Sequence, residues 1–342
     1  MRSPTVLCLD IGSGTQDVLY HIPGIEPENR PKFVLPAPAR MVARRLAALT
    51  AAGSAVYLHG SNMGGGFFGA VKKHLAAGLA VCAHPEAAAA IHDNPARVQM
   101  LGVEISGSCP GGYVPVHLSD YDAAFWQAFL GMAGLEMPDT VVAAAQDHGF
   151  FPDSSNREGR FTLWRRFLRE HDGDPASLIF HDVPPELTRL AVLQKAIGGG
   201  PVCDSGAAAV LGALSMPEVA QRSHRHGITV VNVGNSHVVA FLVYRERVYG
   251  VYEHHTGMLD TAALLHDLTE FRRAWLPDEQ VRACGGHGCM FNTIPEEAES
   301  FRPTFVLGPR RAMLEGQGQF IAPAGDMMLA GCFGMLHGLG LS

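Results

Sequence analysis

Two apolar runs, each interrupted by a glycine turn and resumed as a second apolar run, constrain this chain more than any other feature. The first is TVLCLDIGSGTQDVLY (5–20) and the second ITVVNVGNSHVVAFLVY (228–244). In each, apolar residues lead to a polar residue and a glycine, Asp10 with Gly12 and Asn232 with Gly234, and the two glycines lie 222 residues apart. That order reads as strand, tight turn, strand. Glycine lets such a turn reach positive φ and lets backbone N–H groups approach an anion. A carboxylate at the strand end can hold Mg²⁺ through water. One such hairpin says little, whereas a second at a matching place points to a duplicated phosphate-gripping device.

At 342 residues the chain is long for one core, so two domains or two fused half-domains are expected. Nearly half the residues are apolar, 17% are charged, and the apolar runs are short and punctuated by glycine and proline, which describes an α/β protein. A net charge of −7 without a basic stripe argues against nucleic acid or an anionic membrane as partner, and leaves small molecules. The first dozen residues enter a strand directly and no apolar stretch reaches spanning length, so a cytoplasmic protein is expected; a homodimer is left open. Seven cysteines without a spaced framework fit a reducing compartment. Cys8, Cys82, Cys203 and Cys332 read as core, and Cys109 as an exposed thiol.

Along the chain, ARMVARRLAALTAAG (39–53) reads as an amphipathic helix and SAVYLHG (54–60) as a strand. Gly64, Gly65 and Gly66 then open a helix (67–78) that leads to the strand AVCAH (80–84), a parallel crossover unit. Its glycine turn offers either a second anion site, helped by Ser61 and Asn62, or a close helix-to-strand contact. The strand DTVVAAAQDHG (139–149) should deliver Asp147 and His148 at its carboxyl end, where α/β sheets bind ligands. In the polar loop FPDSSNREGRF (151–161), Asn156, Arg157 and Arg160 could hold a carboxylate or phosphate, or tie two elements together. Asp204, ahead of the alanine-rich helix GAAAVLGAL (206–214), either caps that helix or orients an attacking water. A three-strand meander from Gly227 opens the second half.

These hairpins resemble those of the sugar kinase, heat-shock chaperone and actin superfamily. The resemblance implies an α/β, two-domain actin-like ATPase (ribonuclease H-like) duplicated fold with a central interdomain cleft. Residues 1–205 would form the first half and 206–325 the second, with a last helix, 326–342, packing back on the first. ATP and Mg²⁺ are the implied cofactors. Asp10 would hold the metal and act in catalysis with Asp204. Gly12, Ser13, Gly14 and Thr15 would form one phosphate loop, Asn232, Gly234, Asn235 and Ser236 the other, and TFVLGPRRAML (304–314), with Gly308, the adenosine-binding turn. Asn62, Gly64, Gly65, Asp147, His148, Asn156 and Arg157 would face a small polar substrate. The implied activity is ATP-dependent phosphotransfer or ATP hydrolysis. Asn232 departs from the aspartate common at its position and His237 from a small hydroxyl residue, so a non-catalytic nucleotide-binding module is the alternative.

Within that superfamily the chain resembles a domain-of-unknown-function family labelled as a pyruvate formate-lyase activating enzyme. The likeness rests on GSNMGGG (60–66), HPEAAAAIHDN (84–94), QDHG (146–149), SNREGRF (155–161), CDSGAAAVLGAL (203–214) and APAGDMMLAGCFGML (322–336). The label implies a radical enzyme with an iron–sulfur cluster, and such enzymes use a C-x₃-C-x₂-C run that this chain lacks. A metal or redox protein is therefore the remaining class, prompted by seventeen histidines and by Cys284, His287 and Cys289. Those three supply too few ligands at cramped spacing and read as a flexible loop. His254 and His255 read as solvated or interfacial.

Overall fold

The computed structural model describes residues 4–152 and 155–341. The chain begins as an antiparallel meander, β1 (Val6–Ile11), β2 (Thr15–His21) and β3 (Lys32–Pro36), which leads into helix α1 (Pro38–Ala51). A small parallel unit follows: β4 (Val56–Gly60), α2 (Phe68–Ala76), β5 (Val81–Ala83), α3 (Pro85–Ala88), α4 (Pro95–Met100), β6 (Val103–Ile105) and β7 (Val114–Leu118). Its strands order as β6-β5-β4-β7. After α5 (Ala123–Met132) the chain returns as β8 (Thr140–Ala145), parallel to β1, so Asp10 stands opposite Ala144. Helix α6 (Asn156–Glu170), β9 (Ile179–Phe180), α7 (Thr188–Ala196) and β10 (Val202–Asp204) complete a six-stranded sheet, β3-β2-β1-β8-β10-β9.

Helices α8 (Ser205–Leu214) and α9 (Pro217–Arg225) carry the chain to a second meander, β11 (Ile228–Val233), β12 (His237–Tyr244) and β13 (Arg247–His255). Then come α10 (Thr261–Arg272), α11 (Asp278–Ala283), β14 (Gly288–Phe291), β15 (Thr304–Leu307), β16 (Gln319–Phe320) and α12 (Ala330–Gly338). This sheet orders as β14-β13-β12-β11-β15-β16. In both large sheets, three meandering strands are followed by a later strand parallel to the first. The protein is thus a mixed α/β structure built on three sheets. No helix among the described residues is long and apolar enough to cross a membrane.

Strand alternation decides which side chains meet. Leu7, Leu9 and Ile11 enter a core with Trp126 and Leu190, while Val6 and Cys8 face Ala208, Cys332 and Leu336 of α8 and α12. Asp10 shares the second face and emerges where α8 and α12 begin. On the other sheet, Ile228, Val230, Phe241 and Val251 pack with Trp164 of α6, so Asn232, His237, Glu253 and His255 belong to that face by period two. The cysteines partition as expected: Cys8, Cys82, Cys203 and Cys332 are buried and Cys109 is exposed.

The polar loop needs correction. Residues 153–154 lie outside the described residues, but from Asn156 onward the segment is already α6, capped by the Ser155 hydroxyl, which accepts from Arg157 N at 3.2 Å. A serine cap outweighs the low helix propensity of Gly159, whose missing side chain leaves room for the Phe151 ring.

Candidate functional site

Both glycine turns line one cavity of about 320 Å³, together with Gly64, Gly65, Gly66 and Gly308. The turns are built alike: Gly12 N donates to Thr15 O and Gly234 N to His237 O, each at 2.9 Å. They meet tip to tip, with Ser13 Oγ 2.6 Å from Ser236 Oγ. None of Gly12, Gly14 and Gly234 has positive φ, contrary to the expectation for these turns. Their role is close approach: a Cβ on Gly14 would lie 2.6 Å from Asn235 Nδ2, and one on Gly234 would lie 2.8 Å from His237 O. Gly308 does require the left-handed region, at φ +97°. The N–H groups of Ser13, Gly14, Asn235 and Ser236 donate to no acceptor among the described residues, and successive N–H groups of that kind attract anions.

Under the first turn stand two carboxylates. Asp10 and Asp17 are register partners on β1 and β2, and both line the cavity. Asp10 accepts from the Ser205 hydroxyl at 2.8 Å, while Asp17 Oδ1 is buried with no hydrogen-bond partner. Burial raises the Asp10 carboxyl to about 6, the Ser205 bond offsetting part of this and Asp204 adding to it. Burial and then the neighbouring Asp10 charge raise Asp17 to about 8, with a further push from Asp326 and relief from the Thr15 hydroxyl. Two facing carboxylates, one with an orphaned oxygen, are a donor set that fits a hydrated divalent cation.

The other expected residues separate into two groups. Thr15, Gly64, Gly65, His148, Asn232, Gly234, Asn235, Ser236 and Gly308 line the cavity with the first turn. Asp204 and Asp147 do not. Asp204 caps α8 through Gly206 N at 2.9 Å and Ala207 N at 3.3 Å, and its two oxygens also accept from Arg160 at 2.5 and 3.1 Å. These bonds match the helix-cap reading of Asp204, which lies off the cavity lining. Asp147 accepts from Gly149 N at 2.8 Å and Leu190 N at 3.0 Å, anchoring its own loop and the start of α7. Asn62 donates to the Thr188 hydroxyl at 3.2 Å and lies off the cavity. Arg157 sits in the first turn of α6, away from the cavity lining; the side chain of Asn156 lies outside the described part.

Residue-by-residue reading missed the network beneath the cavity. Glu253 of β13 is fully buried. It accepts from Arg160 Nε at 3.1 Å, from Trp164 Nε1 at 2.8 Å, and from the Gln146 amide. The guanidinium holds the Glu253 carboxyl well below the usual carboxylate range despite burial. Arg189, on the cavity wall, is bound to Asp120 at 2.7 and 3.1 Å and to Gln146 O at 2.7 Å. Both arginines that line the cavity are therefore tied to the protein. The two carboxylate partners of Arg160 lie 44 and 93 residues away, separations no local pattern announces.

The histidines are also repositioned. His254 is fully buried and so not solvated, while His255 is half-buried, its ring 4.7 Å from those of His237 and His287. His287 is only 2% exposed and sits beside His148 and His237, not in a free loop. Burial lowers the proton affinity of the His148, His237, His255 and His287 rings, His255 to about 4 and His287 to about 3. Cys284 is exposed and Cys289 buried, and the only grouping of metal-type ligands among the described residues is His148, His237 and His287.

A solved structure described as an "exopolyphosphatase-like protein" is 10% identical over 90% of this chain, with a TM-score of 0.31, and this chain spans 66% of its length, just under two thirds. A score that low carries no argument about fold or activity. No curated protein matches the chain. A family model does match, over residues 63–313, which is well over half the chain and includes the second glycine turn and Gly308. The chain belongs to the family described as "Putative pyruvate format-lyase activating enzyme (DUF1786)".

Proposed function

We propose that the protein binds a magnesium-complexed phosphorylated ligand, in the first instance a nucleotide, between its two glycine turns, and that it transfers or hydrolyses the terminal phosphoryl group. The observation that carries this reading is the meeting of both turns over the Asp10 and Asp17 carboxylates in one cavity. The N–H groups of Ser13, Asn235 and Ser236, residues that line the cavity, would donate to phosphate oxygens. Asp10 and Asp17 would hold the cation through its waters, and Ser205 fixes the Asp10 rotamer. When bound, Mg²⁺ supplies charge neutralisation at the phosphates. Gly308, Leu307, Met327 and Met328 form an apolar stretch of the wall suited to a base or other flat group. Because Ser13 and Ser236 touch, the turns must part to admit a ligand, which makes closure of the two large sheets on the ligand part of the proposal.

A second reading is binding without turnover. It is favoured by the neutral Asn232 in the second turn and by the engagement of Asp204 with Arg160 and the α8 cap, off the cavity lining.

Thermal unfolding with and without Mg-ATP tests the binding. Saturation a hundredfold above Kd should add about 2.7 kcal/mol. Asp10→Ala should lose that gain while remaining folded. Absence of a shift with any nucleotide, or an equal shift in the variant, would sink the proposal. Phosphate release then separates the two readings.

A further inference from the structure

Imidazoles from three distant stretches converge behind the cavity. His148 follows β8 of the first large sheet, His237 opens β12, and His287 precedes β14 of the other. One ligand-capable nitrogen from each lies within 4.8 Å of the other two. The ring centroids are 4.9 Å apart for His237 and His287, 5.3 Å for His148 and His287, and 5.9 Å for His148 and His237. Strand register explains part of this. His237 stands opposite His255, and Gly288 opposite Glu253, so His237 and the residue before Gly288 reach the same end of the sheet.

Two further observations distinguish this cluster from ordinary core histidines. A buried imidazole normally spends at least one nitrogen on a hydrogen bond. Here both nitrogens of His287, a residue nine-tenths buried and more, and Nε2 of His237 are buried with no partner. Beneath them a single guanidinium, Arg160, serves two carboxylates, Asp204 and Glu253, which leaves that buried trio one negative charge in excess when both are ionised. Glu253 Oε1 lies 3.9 Å from His287 Nδ1, close enough to turn toward it as an outer partner.

We propose that His148, His237 and His287 form a binding site for one divalent late first-row transition-metal ion, with Zn²⁺ as the reference ion. Neutral imidazoles select such ions over Mg²⁺, which prefers oxygen. Zn–N bonds of about 2.05 Å set donor nitrogens about 3.3 Å apart in a tetrahedron, so the rings need only close inward from their present spacing. Three protein ligands leave a coordination position for water or a ligand oxygen, as in catalytic and not structural zinc sites. His148 and His237 line the cavity, so that position is reached from the same space as the glycine turns. The site joins the two large sheets through His148 on one side and His237 and His287 on the other. It uses neither Asp10 nor Asp17, and stands whether or not the nucleotide reading does.

The test uses untagged full-length protein stripped with a chelator and titrated with Co²⁺ alone, followed by visible absorption, then displaced with Zn²⁺. The expected result is one Co²⁺ per chain with a low-coordinate visible band that Zn²⁺ abolishes. His148→Ala and His287→Ala should each weaken Co²⁺ binding in that band a hundredfold or more, whereas Cys284→Ala should leave it unchanged. His148 is only half-buried, so His148→Ala decides the matter if His287→Ala fails to fold, with circular dichroism as the check. Absence of stoichiometric binding, full-strength binding by His148→Ala, or loss of binding in Cys284→Ala would overturn the proposal.

Discussion

Asp17 shows how a single residue ties stability to the site. Its folded carboxyl titrates at about 8, against roughly 3.9 in an unfolded chain, and the charged groups facing it are Asp10 and Asp326. A raised carboxylate gives the native state the extra proton, so its stabilising contribution is complete below the unfolded value and is lost as pH rises through 8. His148, His237, His255 and His287 are lowered and act in the opposite direction, weakening the native state as pH falls toward and below about 6.5, where the unfolded chain takes up their protons. Between pH 6.5 and 8.5 the Asp17 effect is isolated as the difference between the parent and Asp17→Asn: the parent should lose on the order of 1–2 kcal/mol more stability than the variant over that range, as read from urea midpoints. Saturating Mg²⁺ should shrink that difference if the cation sits between Asp10 and Asp17. Asp10 was legible from the sequence because a carboxylate at a strand end before a glycine turn is a local pattern. Asp17 was not, since only the cross-strand register sets it against Asp10.

Among the elements, α12 bears most directly on the site. It packs face to face with α8 through glycines: a Cβ on Gly334 would lie 2.5 Å from Gly212 N and 3.0 Å from the Ala208 carbonyl carbon, which are backbone atoms that cannot swing aside. Gly334→Ala should destabilise by about 1–3 kcal/mol in chemical denaturation even though alanine is the better helix former. Gly331 opens the same helix under Asp10, and a Cβ there would lie 2.7 Å from the Asp10 carboxyl carbon. Gly331→Ala should therefore displace that carboxylate and remove most of the Mg-ATP stabilisation seen in thermal unfolding of the parent. The resemblance implied a last helix over 326–342, and the helix found there runs Ala330–Gly338. That its glycines serve the α8 contact and the Asp10 carboxylate was not legible, because a glycine in a helical pattern has the same appearance whether it faces solvent, a neighbouring backbone or a side chain. The start of α6 was misread for a related reason: a polar, hydrogen-bonding run with a glycine looks like a loop until Ser155 is seen to cap it.

Across the whole molecule, Arg160 is the principal polar link between the two large sheets. From α6 it reaches Asp204 and the Asp147 carbonyl on one side and Glu253 on the other, with its guanidinium 4.5 Å from the Trp164 ring. Arg160→Met would leave two buried carboxylates without their counter-ion and should cost about 3–5 kcal/mol. Adding Glu253→Gln should recover part of that loss, and urea unfolding of the single and double variants measures both. We further propose that the matched strand orders of the two large sheets reflect a duplicated half, which would place the ligand cavity on the line between the copies.

The chain alone determined the strand–turn–strand repeats, the α/β character, the buried cysteines and the candidate anion turns, because each depends on neighbouring residues: period-two apolar runs, glycine at a turn, composition. Tertiary structure decided which of those parts share a cavity and which polar groups are already spent. Asp204 reads as either a cap or a base in sequence and proves to cap α8 while holding Arg160, Asp147 reads as a ligand-facing carboxylate and proves to be bound to backbone, and His148, His237 and His287 look scattered and prove to be adjacent. The physical reason is that hydrogen-bond satisfaction and ligand convergence are properties of distances between strands and helices far apart in the chain, and those distances are set by packing the two large sheets around α6, α8 and α12.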